Sequence, residues 1–502
     1  MTKFFNLISL ALICATAVFS ASAQTGELPR STPEAEGIPS KAVFTLFDSL
    51  TSLPKTEIHS VMVLRHGKVI GEIYPSPIKA EYMHTMYSAS KTFIGVAVGL
   101  AIHDNRLRLN DRVALFFPES LPQNVSSNLA EMSVRDLLTM TSGVDPDWNM
   151  RNITPDWIKT YLGKPVNKPG IDFKYDSMCT YLLSAIVQKA TGMKVLDYLK
   201  EKIFDDMHIT EVEWEESPEG YNTGGWGLHI QPESLAKFGL LLSNNGNWDG
   251  KQLVPAKWVK AMTSSQQKTY ACDYCYQTWR AEYPGSFRAD GALGQYILMV
   301  PEKDVVVVIT ECTMIDGIRQ RNLVWDILMP AITDKTLSAG KDLKTLRRKE
   351  ATYTLSTPKG ASSSRLCKAV FGKNITLQSN RLNWSSINFQ SKGKQLEAVI
   401  TMTDGKSFTL PCGHGSWLTT TTSIEPPYSI SPVGKFTGIK PLFYVAGSYA
   451  WKSQNALALR IQYANWVTAI DATIEFAGND VTINAQENYS SQPFKITGTI
   501  AE

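Results

Sequence analysis

The sequence predicts an α+β domain, an antiparallel sheet flanked by helices with a helical insert, followed by a separate all-β domain. Three observations carry that expectation. Short apolar runs bounded by turn residues lie near both ends of the first 340 residues, and helix-like runs with glycine stops fill the space between them. From about Ala351 onward, apolar and polar residues alternate. Strands at both sequence ends with helices between are satisfied by an antiparallel sheet covered by helices. The chain, 502 residues long, exceeds one ordinary domain. Its 43% apolar and 19% charged residues suit a soluble protein with a packed core. A net charge of +3, with no concentrated basic stretch beyond Lys341–Lys349, argues against a nucleic-acid partner.

The elements follow in order. Residues 1–23 read as a secretory signal: Lys3 begins it, Phe4 to Phe19 form its apolar stretch, and Ala21-Ser22-Ala23 precede Gln24. Ile13 before Cys14 disfavours a lipid anchor. The mature protein is therefore expected to be exported, periplasmic or extracellular, with no integral membrane segment. Residues 24–340 form the first expected domain. Ser60–Leu64 and Val69–Tyr74 flank His66-Gly67-Lys68 as a hairpin. A helix is expected from Ser88 to about His103, then Val134–Leu138, Thr180–Thr191 with a stop at Gly192, and Pro232–Asn244 before Gly246. Strands return at Phe287–Ala289, Gln295–Val300 and Val305–Thr310, and Ile318–Ile332 closes the domain as a helix.

Residues 341–350, basic at Lys341, Lys344, Arg347, Arg348 and Lys349, read as a solvated linker. In 351–502, alternation through Leu396, Ala398, Ile400 and again through Leu457, Leu459, Ile461 predicts an all-β accessory domain, a sandwich or a barrel. Of the cysteines, Cys272 and Cys275 could form half a zinc site, but no second pair stands at ligand spacing. No metal and no cofactor is expected. In an oxidising compartment, a local disulfide between these two is the better expectation.

The chemistry concentrates at Ser88-Ala89-Ser90-Lys91, where helical spacing puts a hydroxyl and an amine on one face. A serine becomes nucleophilic when a neighbouring base takes its proton. A helix start adds free N–H groups and partial positive charge where an oxyanion would form. Further segments follow: Leu107–Asp111, Leu137–Gly143, Phe173-Lys174-Tyr175-Asp176-Ser177, Gly224–Leu228 and Gly291-Ala292-Leu293-Gly294-Gln295-Tyr296-Ile297.

In this order, over residues 30 to 335, the segments resemble the serine β-lactamase and penicillin-binding-protein superfamily. The likeness is to its class C-like branch of esterases, D-alanyl peptidases and amide hydrolases such as 6-aminohexanoate-dimer hydrolases. The resemblance implies Ser88 as an acylated nucleophile, Lys91 as part of its base, and Tyr175 as a proton carrier whose anion the Lys91 ammonium would favour. Ser177 stands where the family carries asparagine. The Lys or His of the last motif is missing before Gly291, with Arg288 a candidate replacement. The oxyanion donors are expected to be the N–H groups of Ser88 and Ala292, with Gly291 and Gly294 allowing close approach. Asp145, Trp148 and Trp226 are candidate pocket walls, and His229 is a less favoured candidate. No histidine sits in a Gly-x-Ser-x-Gly context. The reading is a secreted serine hydrolase cleaving an ester or amide bond of a small molecule or peptide. The alternatives are a D-alanyl-D-amino acid carboxypeptidase or β-lactamase, and a non-catalytic binding protein that retains the fold.

Overall fold

The computed structural model describes residues 26–269, 272–393, 395–430 and 436–501. The run read as an export signal lies outside the described residues. The first domain is framed by helix α1 (Ser40–Thr51), strands β1 (Thr56–Arg65) and β2 (Lys68–Ile73), and helices α2 (Ser90–His103), α3 (Ser177–Thr191) and α4 (Pro232–Ser243). Strands β3 (Trp279–Arg280), β4 (Phe287–Gly291), β5 (Gln295–Val300) and β6 (Val305–Thr313) and helix α5 (Lys341–Thr352) complete it. The strands form one antiparallel sheet in the order β2-β1-β6-β5-β4-β3.

Sequence alternation explains why both faces of this sheet are covered. Side chains on a strand point alternately to opposite faces. Val61, Val63, Val305, Val307 and Ile309 join Val43, Leu46, Phe47 and Leu50 of α1 in one core. Met62, Leu64, Val306 and Val308 join α2 and α4 in the other. Burying each such side chain is worth roughly 1.5–3 kcal/mol, so the central strands lock both layers. Phe93 of α2 stacks on Phe238 of α4 with ring centroids 3.7 Å apart, which fixes the helix that follows Ser88. Helix α3 starts where the Asp176 carboxylate accepts the Met178 N–H at 2.9 Å, and stops at Gly192, whose φ of 79° is left-handed.

Three expectations need correction. The helix expected from Ser88 opens as a 3₁₀ turn over Tyr87–Ala89 and becomes α-helical only at Ser90, because Tyr87 enters with a left-handed φ of 44°. The run expected as a solvated linker is α5, packed on α1. Its Leu346 is fully buried, while Lys349 pairs with Asp48 and Arg347 with Glu350 at the surface. The charges hid a single inward-facing residue. Cys272 and Cys275 are both free thiols, Cys275 buried and Cys272 half-exposed, so the expected disulfide is absent.

The second domain is all-β. Its ten strands among the described residues run from Asn374–Leu377 to Phe494–Ile500. Neighbours are antiparallel, and Ser407–His414 lies parallel to Phe443–Trp451, which closes the sheet on itself as a barrel. Closure removes open edges. Among the described residues, no helix is long and apolar enough to cross a membrane.

Replacing Leu346 by alanine is expected to destabilise the first domain by about 2–5 kcal/mol, read as a lower urea midpoint. An unchanged midpoint would mean that α5 contributes no core.

Candidate active site

Ser88 sits in the 3₁₀ turn, half-exposed, and Lys91 lies on the first turn of α2 with its side chain fully enclosed. An ammonium has three hydrogens, and all three are directed. Lys91 Nζ donates to Ser88 Oγ at 2.9 Å, to Ser177 Oγ at 2.7 Å and to the Gly225 carbonyl at 2.7 Å. Burial strips water from the amine and pushes its pKa down from 10.5 to about 7, with Asp176 opposing the shift. A lysine so placed can exist as a free amine near neutrality, which an exposed lysine cannot.

Tyr175 reaches the same hydroxyl from a distant part of the chain, coming within hydrogen-bonding range of Ser88. The Lys91 nitrogen lies over the face of its ring, 4.8 Å from the centroid. The expectation that this ammonium would favour a phenolate is overturned. Desolvation among Tyr274, Trp279 and neighbouring side chains pushes the phenol well above its usual value. Tyr175 therefore keeps its proton in the resting site, while Lys91 is the amine brought close to neutrality.

Ser177 opens α3 and is held by Lys91, so serine fills the place where the family resemblance expected asparagine. Asp176 beside it had no role in the sequence reading. Its Oδ1 caps α3, its buried Oδ2 has no partner, and burial raises its pKa to about 6.

The end of β4 closes the other side. A Cβ on Gly291 would lie 2.3 Å from the Met86 carbonyl oxygen and 3.2 Å from the Ala89 nitrogen, so the strand and the turn that carries Ser88 touch backbone to backbone. Ala292 follows, exposed, in the turn between β4 and β5. Gly294 has a φ of 93°, and a Cβ there would meet the Glu311 carboxyl at 2.0 Å. The structure thus brings Ser88, Lys91, Tyr175 and Ser177 together, with Gly291 and Ala292 alongside the turn that carries the serine.

Other candidates fall into different places. Arg288 is unavailable as a substitute cation. It pairs with Asp290 at 2.8 Å and with Glu282 at 3.7 Å, and donates to the Arg280 carbonyl at 2.5 Å. Asp145 pairs with Lys174 at the surface. Trp148, 37% exposed, and the buried Trp226 lie with ring centroids 5.6 Å apart, and the Arg151 guanidinium sits beside both, 4.5 and 4.4 Å from the two centroids. Trp226 follows the carbonyl that holds Lys91, so this aromatic pair borders the site. His229 is buried, stacks on Trp466 of the second domain and is held neutral, its pKa pushed down to about 3 by burial. It is a packing residue. Among the described residues, no group of three His, Cys, Asp or Glu side chains could hold a metal ion.

With this geometry in view, the comparisons are specific. The Beta-lactamase family profile matches residues 57–311, about half of the chain. Protein flp of Staphylococcus aureus (strain N315) is 26% identical over 188 residues, covering 34% of this chain and 38% of that protein. The match therefore spans well under half the length of that relative. The 6-aminohexanoate-dimer hydrolase of Paenarthrobacter ureafaciens is 23% identical over 294 residues, 51% of this chain and 73% of that enzyme. Among solved structures, a candidate 6-aminohexanoate-dimer hydrolase from Bacillus anthracis superposes with a TM-score of 0.50 at 20% identity. It covers 60% of this chain and 86% of the other, and that likeness speaks to the fold. The matched span holds the sheet, α2, α3 and every residue gathered around Ser88: this chain belongs to the Beta-lactamase family.

Proposed function

We propose that the protein is an exported serine hydrolase that cleaves an ester or amide bond through an acyl-enzyme on Ser88. The observation that carries this reading is the enclosed Lys91 amine donating to Ser88 Oγ at 2.9 Å. As a free amine, Lys91 takes the serine proton while Oγ attacks the substrate carbonyl. Tyr175, protonated and within reach of the same oxygen, passes a proton to the leaving alcohol or amine. Water then attacks the acyl-enzyme by the reverse sequence and releases the acid. The N–H groups of Ser88 and Ala292 would receive the oxyanion; losing one such donor typically costs about 3–4 kcal/mol.

Substrate class follows from what the site lacks. With Arg288 tied into its ion pairs, an acyl group without a carboxylate at that position suits the site better than a β-lactam or a D-alanyl terminus. The related enzyme acting on 6-aminohexanoate dimers supports an amide or ester of a small molecule or short peptide. The signal-like residues 1–23 support export.

Ser88→Ala is expected to abolish hydrolysis of p-nitrophenyl esters and labelling by a fluorophosphonate; a variant that turns over at the wild-type rate would end the reading. Because only the free amine accepts a proton, kcat/KM is expected to rise about tenfold per unit below pH 7 and to level off above it. A flat profile from pH 5.5 to 8.5 would contradict Lys91 as base. Gly291→Ala pushes β4 away from the nucleophile turn, and is expected to lower kcat about 100-fold or more with an unchanged circular-dichroism spectrum. Unaltered kcat would show that this approach does not matter.

A further inference from the structure

Ser88 and Ala292 are each flanked by a residue in left-handed backbone conformation that is not glycine. Tyr87 has a φ of 44° and Leu293 a φ of 59°. Such conformations are costly for residues with a side chain and persist only where the surroundings hold them. What surrounds both side chains is the second domain. Tyr87 is a member of that domain's apolar core, and Leu293 packs against the same core. The Tyr87 phenol hydrogen-bonds the Ser429 hydroxyl, 342 positions along the chain. The next residue back, Tyr428, donates to both oxygens of Glu215 at 3.0 and 3.1 Å. Glu215 also reaches Trp226, beside the carbonyl that holds Lys91. Backbone contacts continue the seam: Glu216 N–H donates to the Thr437 carbonyl at 2.7 Å, and Lys440 N–H to the Glu213 carboxylate at 3.2 Å.

We infer that the C-terminal β domain is a working part of the catalytic centre, a clamp that sets the spacing and direction of the two oxyanion-binding N–H groups through Tyr87 and Leu293. The inference rests on the acyl-enzyme reading above. Each peptide N–H is aimed by the backbone on either side of it. A domain that grips residue 87 therefore aims the residue 88 N–H, which lies in the peptide joining the two, and by gripping residue 293 it fixes the turn that carries the residue 292 N–H. Ser429 and Tyr87 are positioning residues, since neither touches the reacting atoms. The clamp also explains why an all-β domain without chemistry of its own is packed against the nucleophile turn. A clamp on the oxyanion site affects the tetrahedral state more than the bound ester, so its loss lowers kcat and leaves KM almost unchanged.

The test uses the full chain with p-nitrophenyl acetate and with phenylboronic acid, which forms a tetrahedral adduct on a reactive serine. Tyr87→Phe keeps the ring in the core and removes the hydroxyl; Ser429→Ala removes its partner. Each is expected to lower kcat about tenfold, to raise the boronate inhibition constant about tenfold, and to leave KM within about twofold. Ser429→Thr restores a hydroxyl and is expected to recover most of the loss. Leu293→Gly relaxes the backbone while releasing the grip. The clamp predicts a fall in kcat there, whereas purely local strain predicts none. Phe476→Leu, in the same core against Trp451, is expected to lower thermal stability with kcat intact. Wild-type kcat and boronate affinity in Tyr87→Phe, Ser429→Ala and Leu293→Gly would overturn the clamp alone. An equal fall in kcat with Phe476→Leu would also overturn it, reducing the effect to general destabilisation. A wild-type protein that neither hydrolyses the ester nor takes a fluorophosphonate would overturn the acyl-enzyme reading and the clamp with it.

Discussion

The site depends on one amine being kept out of water. Lys91 sits at the start of a helix whose first three turns are buried on every side, and the protein answers its three hydrogens with Ser88, Ser177 and the Gly225 carbonyl. Desolvation penalises the charged form, and the nearby Asp176 carboxylate limits how far the shift goes. The balance leaves the amine near the middle of the neutral range, where a base that must both take and return a proton is most effective. Exposing Lys91 would return it to the ordinary range above pH 10 and leave Ser88 a common surface alcohol.

Keeping that amine dry takes contributions from segments far apart in the chain. The 3₁₀ turn ahead of α2 supplies the serine and α2 the lysine, the start of α3 supplies Ser177 and the Asp176 cap, and Gly225 brings a carbonyl in from a loop. The end of β4 presses backbone against the turn that carries Ser88 at Gly291. These elements are fixed in turn by the two apolar layers on the sheet, with alternate residues of β1 and β6 feeding opposite cores. The second domain adds a third support through Tyr87, Leu293 and the Tyr428–Glu215 contact. Packing, hydrogen bonding and the shifted pKa are therefore one arrangement seen at three scales.

Much of this was legible from the residues. Alternation in Val61–Leu64 and Val305–Ile309 predicts the two-faced sheet because side-chain direction on a strand is fixed by chain geometry. The spacing of Ser88 and Lys91 places them together because helical periodicity is equally fixed. What stayed hidden depends on tertiary surroundings. The Lys341–Lys349 charges masked Leu346, whose burial exists only because α1 lies beneath it. Tyr175 was expected to ionise beside a cation, but the number of groups packed round its ring, which no local sequence reveals, decides the other way. Arg288 was a reasonable stand-in cation until its ion pairs with Asp290 and Glu282 became visible. Ser429 and Tyr428 carry no motif at all; only folding brings them to residues more than 200 positions away.

The most direct measurement is the titration of the Lys91 side chain itself, followed by heteronuclear NMR of protein labelled at the lysine ε position, with Lys91→Arg used to assign the resonance. An apparent pKa near 7 is expected. A Lys91 resonance that titrates near 10.5, the ordinary value, would contradict the account, since an amine still charged at neutral pH cannot take the proton from Ser88.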